Sequence, residues 1–181
     1  MVQEQHFGIR MDRQQFLNML PKNGIIAEIG VATGTHAWDM YTICKPKKLY
    51  LIDSWTGTDY LEEYDGNIRY AQVERMFRNC SNVILLRETS MKAVKRFKDG
   101  YFDWVYIDAV HIYEHIKQDM NIWWSKVKSY LCGHDYIDYY IEGYGQFGVV
   151  QAVNEFVRDN NLDPPILSDA KFRDWAIRRK S

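Results

Sequence analysis

The sequence predicts an open α/β fold, a doubly wound and mostly parallel sheet with helices on both faces. Three observations predict it. Short apolar runs alternate with helical periodicity along the chain, and no linker or low-complexity tract interrupts them. Three of the runs, GIIAEIG, KLYLID and FDWVYID, end at or next to an acid, Glu28, Asp53 and Asp108. In open α/β sheets the ligand sits outside the carboxyl ends of the strands, so one acid per strand end marks a crevice for a polyhydroxylated or cationic ligand. The chain of 181 residues, 46% apolar and 26% charged, is long enough to bury one core, so residues 1–181 are read as a single domain.

The elements follow in order. Met11, Phe16, Leu17 and Leu20 predict a helix over 10–20, closed by Pro21. Ile25–Ile29 is the first strand, and Gly30 and Gly34 lead into a helix near Ala37–Ile43. The second strand is Leu49–Ile52, and a charge-rich helix over 60–79 has Gly66 as its weak point. Val83–Leu86 is the third strand, followed by a helix Ser90–Phe97 for which Ser90 is a candidate cap. Trp104–Ile107 is the fourth strand, and the helix over 113–128 turns Ile116, Met120 and Trp123 or Trp124 inward. Tyr130–Cys132 is a short fifth strand, and Val149–Val157 is the last helix. Asp163-Pro164-Pro165 breaks it, after which Ile166–Leu167 and Trp175–Ile177 form a hairpin with one antiparallel member.

Charge and composition narrow the function. A net charge of -1 gives no electrostatic reason to expect nucleic acid or an acidic membrane as partner. No run approaches the roughly 18 apolar residues of a membrane span, and the first fifteen residues lack the apolar core of a signal peptide. Three cysteines, an odd number without CxxC spacing, read as reduced thiols, and the expected location is the cytoplasm.

The turn after the first strand, Glu28-Ile-Gly30-Val-Ala-Thr33-Gly34, lacks the dinucleotide fingerprint, because Ala32 and Thr35 stand at its later glycine positions. Asp53 lies 23 residues past Gly30, near the roughly 20-residue separation at which an acid meets a ribose diol. The alternative is that it caps the turn Ser54-Trp55-Thr56-Gly57. Glu88-Thr89-Ser90 would complete the wall around a purine. Asp108 and His111 leave one strand end, and Gly133-His134-Asp135 leaves the neighbouring one, so Asp108 and Asp135 face each other. Two carboxylates with His134 suit an oxygen-loving divalent ion such as magnesium or manganese.

Together, the Glu28–Gly34 run, Leu-Ile-Asp53-Ser54-Trp, Tyr-Ile-Asp108-x-x-His111-x-Tyr113 with Asp119, and Gly-His134-Asp135-Tyr resemble class I S-adenosylmethionine-dependent methyltransferases. More narrowly they resemble the small metal-dependent O-methyltransferases of sugars and sugar-bearing natural products, over about residues 24–158. The resemblance implies a Rossmann-like sheet of seven strands. It places Glu28, Gly30 and Gly34 at the methionine part of S-adenosylmethionine, Asp53 at the ribose and Ser90 at the adenine. Thr33, Ser54 and Asp108 complete that cofactor-binding set. It further implies metal ligation by Asp108 and Asp135, with His134 beside them, and His111 as the catalytic base. The implied reaction is methyl transfer to a hydroxyl of a sugar, glycan or glycosylated small molecule, assisted by Mg2+ or Mn2+. A metal-independent methyltransferase of another metabolite and a nicotinamide oxidoreductase are the alternatives. The chain departs from the pattern twice: Lys128-Ser129-Tyr130 replaces a glycine turn, and His134 stands where an acid is usual. The aromatic segment Tyr136–Phe147 would cover the acceptor or serve as a contact between copies in a homo-oligomer.

Overall fold

Successive residues of a strand point to opposite faces, and here both faces are apolar, so the sheet is covered on each side. In the computed structural model, which describes residues 11–56, 58–59 and 62–180, the elements run α1 (Arg13–Met19), β1 (Ile25–Ile29), α2 (Thr35–Cys44), β2 (Lys48–Asp53), β3 (Thr58–Asp59), β4 (Glu62–Glu63) and α3 (Gly66–Phe77). They continue as β5 (Val83–Arg87), α4 (Ser90–Ala93), a 3-10 turn Val94–Arg96, β6 (Phe102–Ile107), α5 (Tyr113–Trp124) and β7 (Val127–Gly133). The last are β8 (Tyr140–Ile141), β9 (Gly145–Gln146), α6 (Val149–Asp159), β10 (Ile166–Leu167) and β11 (Trp175–Arg178).

Seven strands form one sheet in the order β10-β11-β7-β6-β1-β2-β5. β1 pairs in parallel with β2 and β6, and β2 with β5 and β6 with β7 do the same. β11 alone runs antiparallel, against both β7 and β10. The mostly parallel, seven-stranded, Rossmann-like sheet with one antiparallel strand near the C-terminus is therefore the observed fold. Its two cores follow strand alternation. Ala27, Ile29, Val105, Ile107, Leu131 and Trp175 pack with α4, α5 and α6. Ile26, Leu51, Trp104, Tyr106, Cys132 and Ala176 pack with α1, α2 and α3. Among the described residues no helix is long and apolar enough to cross a membrane.

Several boundaries differ from expectation, each for a local reason. α1 starts at Arg13 because Asp12 and Gln15 form a capping box, each side chain accepting from the other's backbone N–H. The helix expected over 60–79 begins only at Gly66, where Asp65 accepts from Asn67 N and Ile68 N. The two-strand ladder β3–β4 precedes it. A cap there outweighs the periodicity, since glycine is poor inside a helix and well placed at its start. Residues 10, 57 and 60–61, which the expectations for α1, the Ser54–Gly57 turn and α3 include, lie outside the described residues. α4 is one turn long and its N-cap is Thr89, so Ser90 is the first helical residue and not the cap. α5 stops at Trp124 rather than 128 because Phe102 N donates to Lys126 O, which opens β7 at Val127. Lys128, Ser129 and Tyr130 are thus strand residues, and the turn before them needs no glycine.

Candidate functional site

The chain passes from β5 back across β1 to β6, so the strand order reverses between β1 and β6, and the ends of these two strands open a crevice. Gly30 closes β1 with φ of 86°, and a Cβ there would lie 2.2 Å from the Asp108 carbonyl oxygen. Its glycine serves the approach of one strand-end loop to the other. Gly34, φ 84°, caps α2, and its Cβ would meet Val73 of α3 at 3.1 Å, so it serves helix packing more than ligand approach.

Asp53 ends β2 and accepts three backbone hydrogen bonds. Val31 N and Ala32 N donate to Oδ2 at 2.8 and 3.0 Å, and Trp55 N donates to Oδ1 at 2.7 Å. A carboxylate offers roughly four acceptor positions, so one remains for a ligand hydroxyl rather than a vicinal pair. The turn-capping alternative is realised, and it extends backward to the β1–α2 loop. Ala32 and Trp55 both hold positive φ, 48° and 44°, and Trp55 Nε1 donates to Ala32 O at 3.0 Å. The two loops are tied into one unit.

A cavity of about 360 Å³ lies beside this unit, lined by Gly30, Asp53, Ser54, Ser90, His115 and Asp119 among others. The Ser90 hydroxyl is already engaged there, donating to Asp119 and accepting from Trp123 Nε1. Asp119 is buried, which pushes its carboxyl up to about 6, offset in part by the Ser90 bond and the field of His115. A raised carboxyl binds its proton more tightly folded than unfolded, so its contribution is full below about pH 4 and is lost as pH rises through about 6. The unfolding free energy should fall by on the order of 2 kcal/mol across that window on account of this group. Denaturant titrations at pH 4.5 and 7 check it, and an Asp119→Asn variant with the same pH slope would refute it.

The second and larger cavity, about 490 Å³, lies on the other side of Gly30. Its walls include Glu28, Thr33, His36, Asp108, His111, His134 and Asp135. Glu28 points to the α2 face of β1, fully buried, and its Oε1 meets His36 Nδ1 at 2.8 Å. Burial raises the Glu28 carboxyl above the ordinary range, with the His36 bond opposing. Glu28 Oε2 and His36 Nε2 have no hydrogen-bond partner among the described residues.

Asp108, His111 and Asp135 come together, as the sequence implied. His111 Nε2 lies 3.3 Å from Asp108 Oδ1 and 3.2 Å from Asp135 Oδ2, and a ligand atom from each of the three falls within 4.8 Å of the others. The third member of this group is His111 rather than His134. His134 Nδ1 sits at 3.0 Å from Asp135 Oδ1 and 3.7 Å from Asp108 Oδ1, at the edge. Burial pushes the Asp108 carboxyl up, but the His111 bond and the fields of His134, His111 and His36 prevail and hold it below the ordinary range. At His134 burial opposes charge, yet the Asp135 contact and the field of Asp108 leave its pKa raised.

The Tyr136–Phe147 segment forms the β8–β9 hairpin, and Tyr139, Ile141 and Phe147 line the larger cavity. Phe147 stacks on the His111 ring at 5.3 Å, and His111 N donates to the Tyr144 hydroxyl at 3.1 Å. Sequence reasoning missed His36 and Arg13. The first was signalled by a histidine in the opening turn of the helix that follows Glu28. The second had no local signal, because its partner Asp174 lies 161 residues away.

A family described as a methyltransferase domain matches residues 27–136. No curated protein matches the chain. Solved structures of similar fold include an O-methyltransferase family protein from Burkholderia thailandensis, 10% identical with a TM-score of 0.67, over 93% of this chain and 55% of that one. A putative rRNA-methylase from Clostridium thermocellum is 12% identical with a TM-score of 0.66, over 93% of both chains. Fibrillarin from Aeropyrum pernix, solved with natively bound S-adenosyl-L-methionine, is 13% identical with a TM-score of 0.59, over 87% of this chain and 67% of that one. At these identities the likeness is one of fold.

Proposed function

The chain belongs to the methyltransferase-domain family, and from that premise we propose that it transfers the methyl group of S-adenosylmethionine to a hydroxyl of a sugar, glycan or glycosylated small molecule. One observation carries the reading. Two cavities, one lined by Asp53, Ser54 and Ser90 and one by Asp108, His111 and Asp135, meet at Gly30 and Ala109. A donor lying across Gly30 has its nucleoside in the first and its sulfonium beside the carboxylates of the second. Asp53 accepts one ribose hydroxyl through its remaining position, and Asp119 and Ser90 border the adenine.

The acceptor then occupies the open part of the larger cavity, under Tyr139 and Phe147, whose rings suit the apolar face of a sugar. Holding its oxygen in line with the sulfonium methyl supplies much of the rate, since the donor already carries a good leaving group. A sugar hydroxyl is too weak an acid to ionise unaided, so a base must take its proton. His111 is placed for this, and Asp108 and Asp135 stabilise the imidazolium that forms.

A divalent ion of the magnesium class suits the same corner. Asp108 and Asp135, with His134 Nδ1 beside them at 3.7 and 3.0 Å, would hold magnesium or manganese, which when bound supplies a lowered pKa for the acceptor hydroxyl and leaves the His111 imidazole to take the proton. Methyl transfer from labelled S-adenosylmethionine to simple sugars and glycosides, with manganese and with excess chelator, tests the proposal. Turnover on a hydroxylated sugar is expected, with activity lost in chelator and restored by manganese. Full activity in chelator retires the ion, and no transfer to any glycoside retires the acceptor class.

A further inference from the structure

The larger of the two cavities carries several acids but one arginine or lysine among its described lining residues, Arg13. Its Nε donates to Asp174 Oδ1 at 3.1 Å. Asp174 has no exposed surface and is fixed in turn: Ser168 Oγ donates to Oδ2 at 2.9 Å, the Tyr106 hydroxyl donates to Oδ1, and its own amide donates to Ser168 Oγ at 2.8 Å. Held through Nε, the guanidinium is set in one orientation. Neither terminal amino group has a hydrogen-bond partner among the described residues, and the side chain remains one-third exposed, at 33%. His36 supplies a second, independent sign of a missing ligand in the same wall. It is nine-tenths buried, and its Nε2 has no partner among the described residues.

We propose that Arg13 receives the carboxylate at the amino-acid end of the donor, with His36 Nε2 as its second contact. The inference rests on the methyltransferase reading and adds to it how the donor's far end is held. A donor whose nucleoside fills the smaller cavity and which crosses Gly30 delivers that end here. The end carries an ammonium and a carboxylate together. The acids of the wall match the first, and a guanidinium fork matches the second in charge and shape. A ring N–H at His36 Nε2, which has no other partner among the described residues, would donate to one carboxylate oxygen.

The test compares two compounds by calorimetry. S-adenosylhomocysteine has the amino-acid end, and 5′-methylthioadenosine has the same nucleoside and thioether without it. Arg13→Gln should weaken the first by roughly 10- to 100-fold, the range for hydrogen bonds to a charged group, and leave the second unchanged. Arg13→Lys, which keeps the charge but not the fork, should fall between, and it carries the same comparison if the glutamine variant does not fold. Equal loss for both compounds would mean that Arg13 only props α1 against Asp174, and no loss for either would place the carboxylate elsewhere. Both results overturn the inference while leaving the donor reading intact. Wild-type protein that binds neither compound overturns the two together.

Discussion

Replacing His111 by alanine should lower kcat for methyl transfer by about 10²–10⁴-fold, the range that a positioned general base supplies, with donor affinity changed much less. The backbone around the residue is anchored independently of the ring, by His111 N to the Tyr144 hydroxyl and by Gly148 N to the His111 carbonyl. The variant therefore keeps the loop and loses the imidazole. What remains is a pair of carboxylates, Asp108 and Asp135, without the imidazole between them. Steady-state kinetics together with calorimetry of donor binding check both points. A variant with near-normal kcat would assign the proton elsewhere, and His134, 3.0 Å from Asp135, is the next side chain to replace.

The second large effect is on stability. Asp53→Ala removes the acceptor of three backbone N–H groups, those of Val31, Ala32 and Trp55. Leaving a buried donor unsatisfied costs about 1–3 kcal/mol, and these three are partly buried, so a loss of about 2–5 kcal/mol is expected. Ala32 and Trp55 also hold left-handed backbone conformations that non-glycine residues adopt only when their surroundings impose them. Donor affinity falls with the loops, since both border the crevice. Asp53→Asn, which keeps one acceptor oxygen, should lose about half as much. Urea denaturation decides the matter: an unchanged midpoint in Asp53→Ala, with weakened donor binding, would make Asp53 a ligand group and nothing more.

Asp53 also shows where the sequence is legible and where it is not. An acid at the end of an apolar run is visible in one dimension, and Glu28, Asp53 and Asp108 all stand at or near β-strand ends around the crevice. What each carboxylate touches is not visible. Two of the three partners of Asp53 are amides of a turn about twenty residues earlier, brought back by the parallel pairing of β1 and β2; only Trp55 N is local. The mostly parallel sheet followed from alternation of strand and helix, because buried parallel strands carry unbroken apolar runs. The start of α3 did not, because periodicity continues through residues that Asp65 and Gly66 exclude from the helix. Ser90 lines the smaller cavity, but that Asp119 and Trp123 on α5 engage its hydroxyl is invisible in the sequence. Arg13 and Asp174 lie at opposite ends of the chain, and only the closed fold makes them neighbours.

If the acceptor lies under Tyr139 and Phe147 as proposed, the β8–β9 hairpin supplies its roof as well as two grips on His111, the Tyr144 hydroxyl at its main chain and the Phe147 ring against its face. On that reading acceptor selectivity and proton transfer depend on one segment. A lineage that changes its clientele by rewriting this segment has freedom at Tyr139, Tyr140 and Ile141, which touch the acceptor space or the solvent. It has little at Tyr144 and Phe147, where each exchange also re-aims the imidazole.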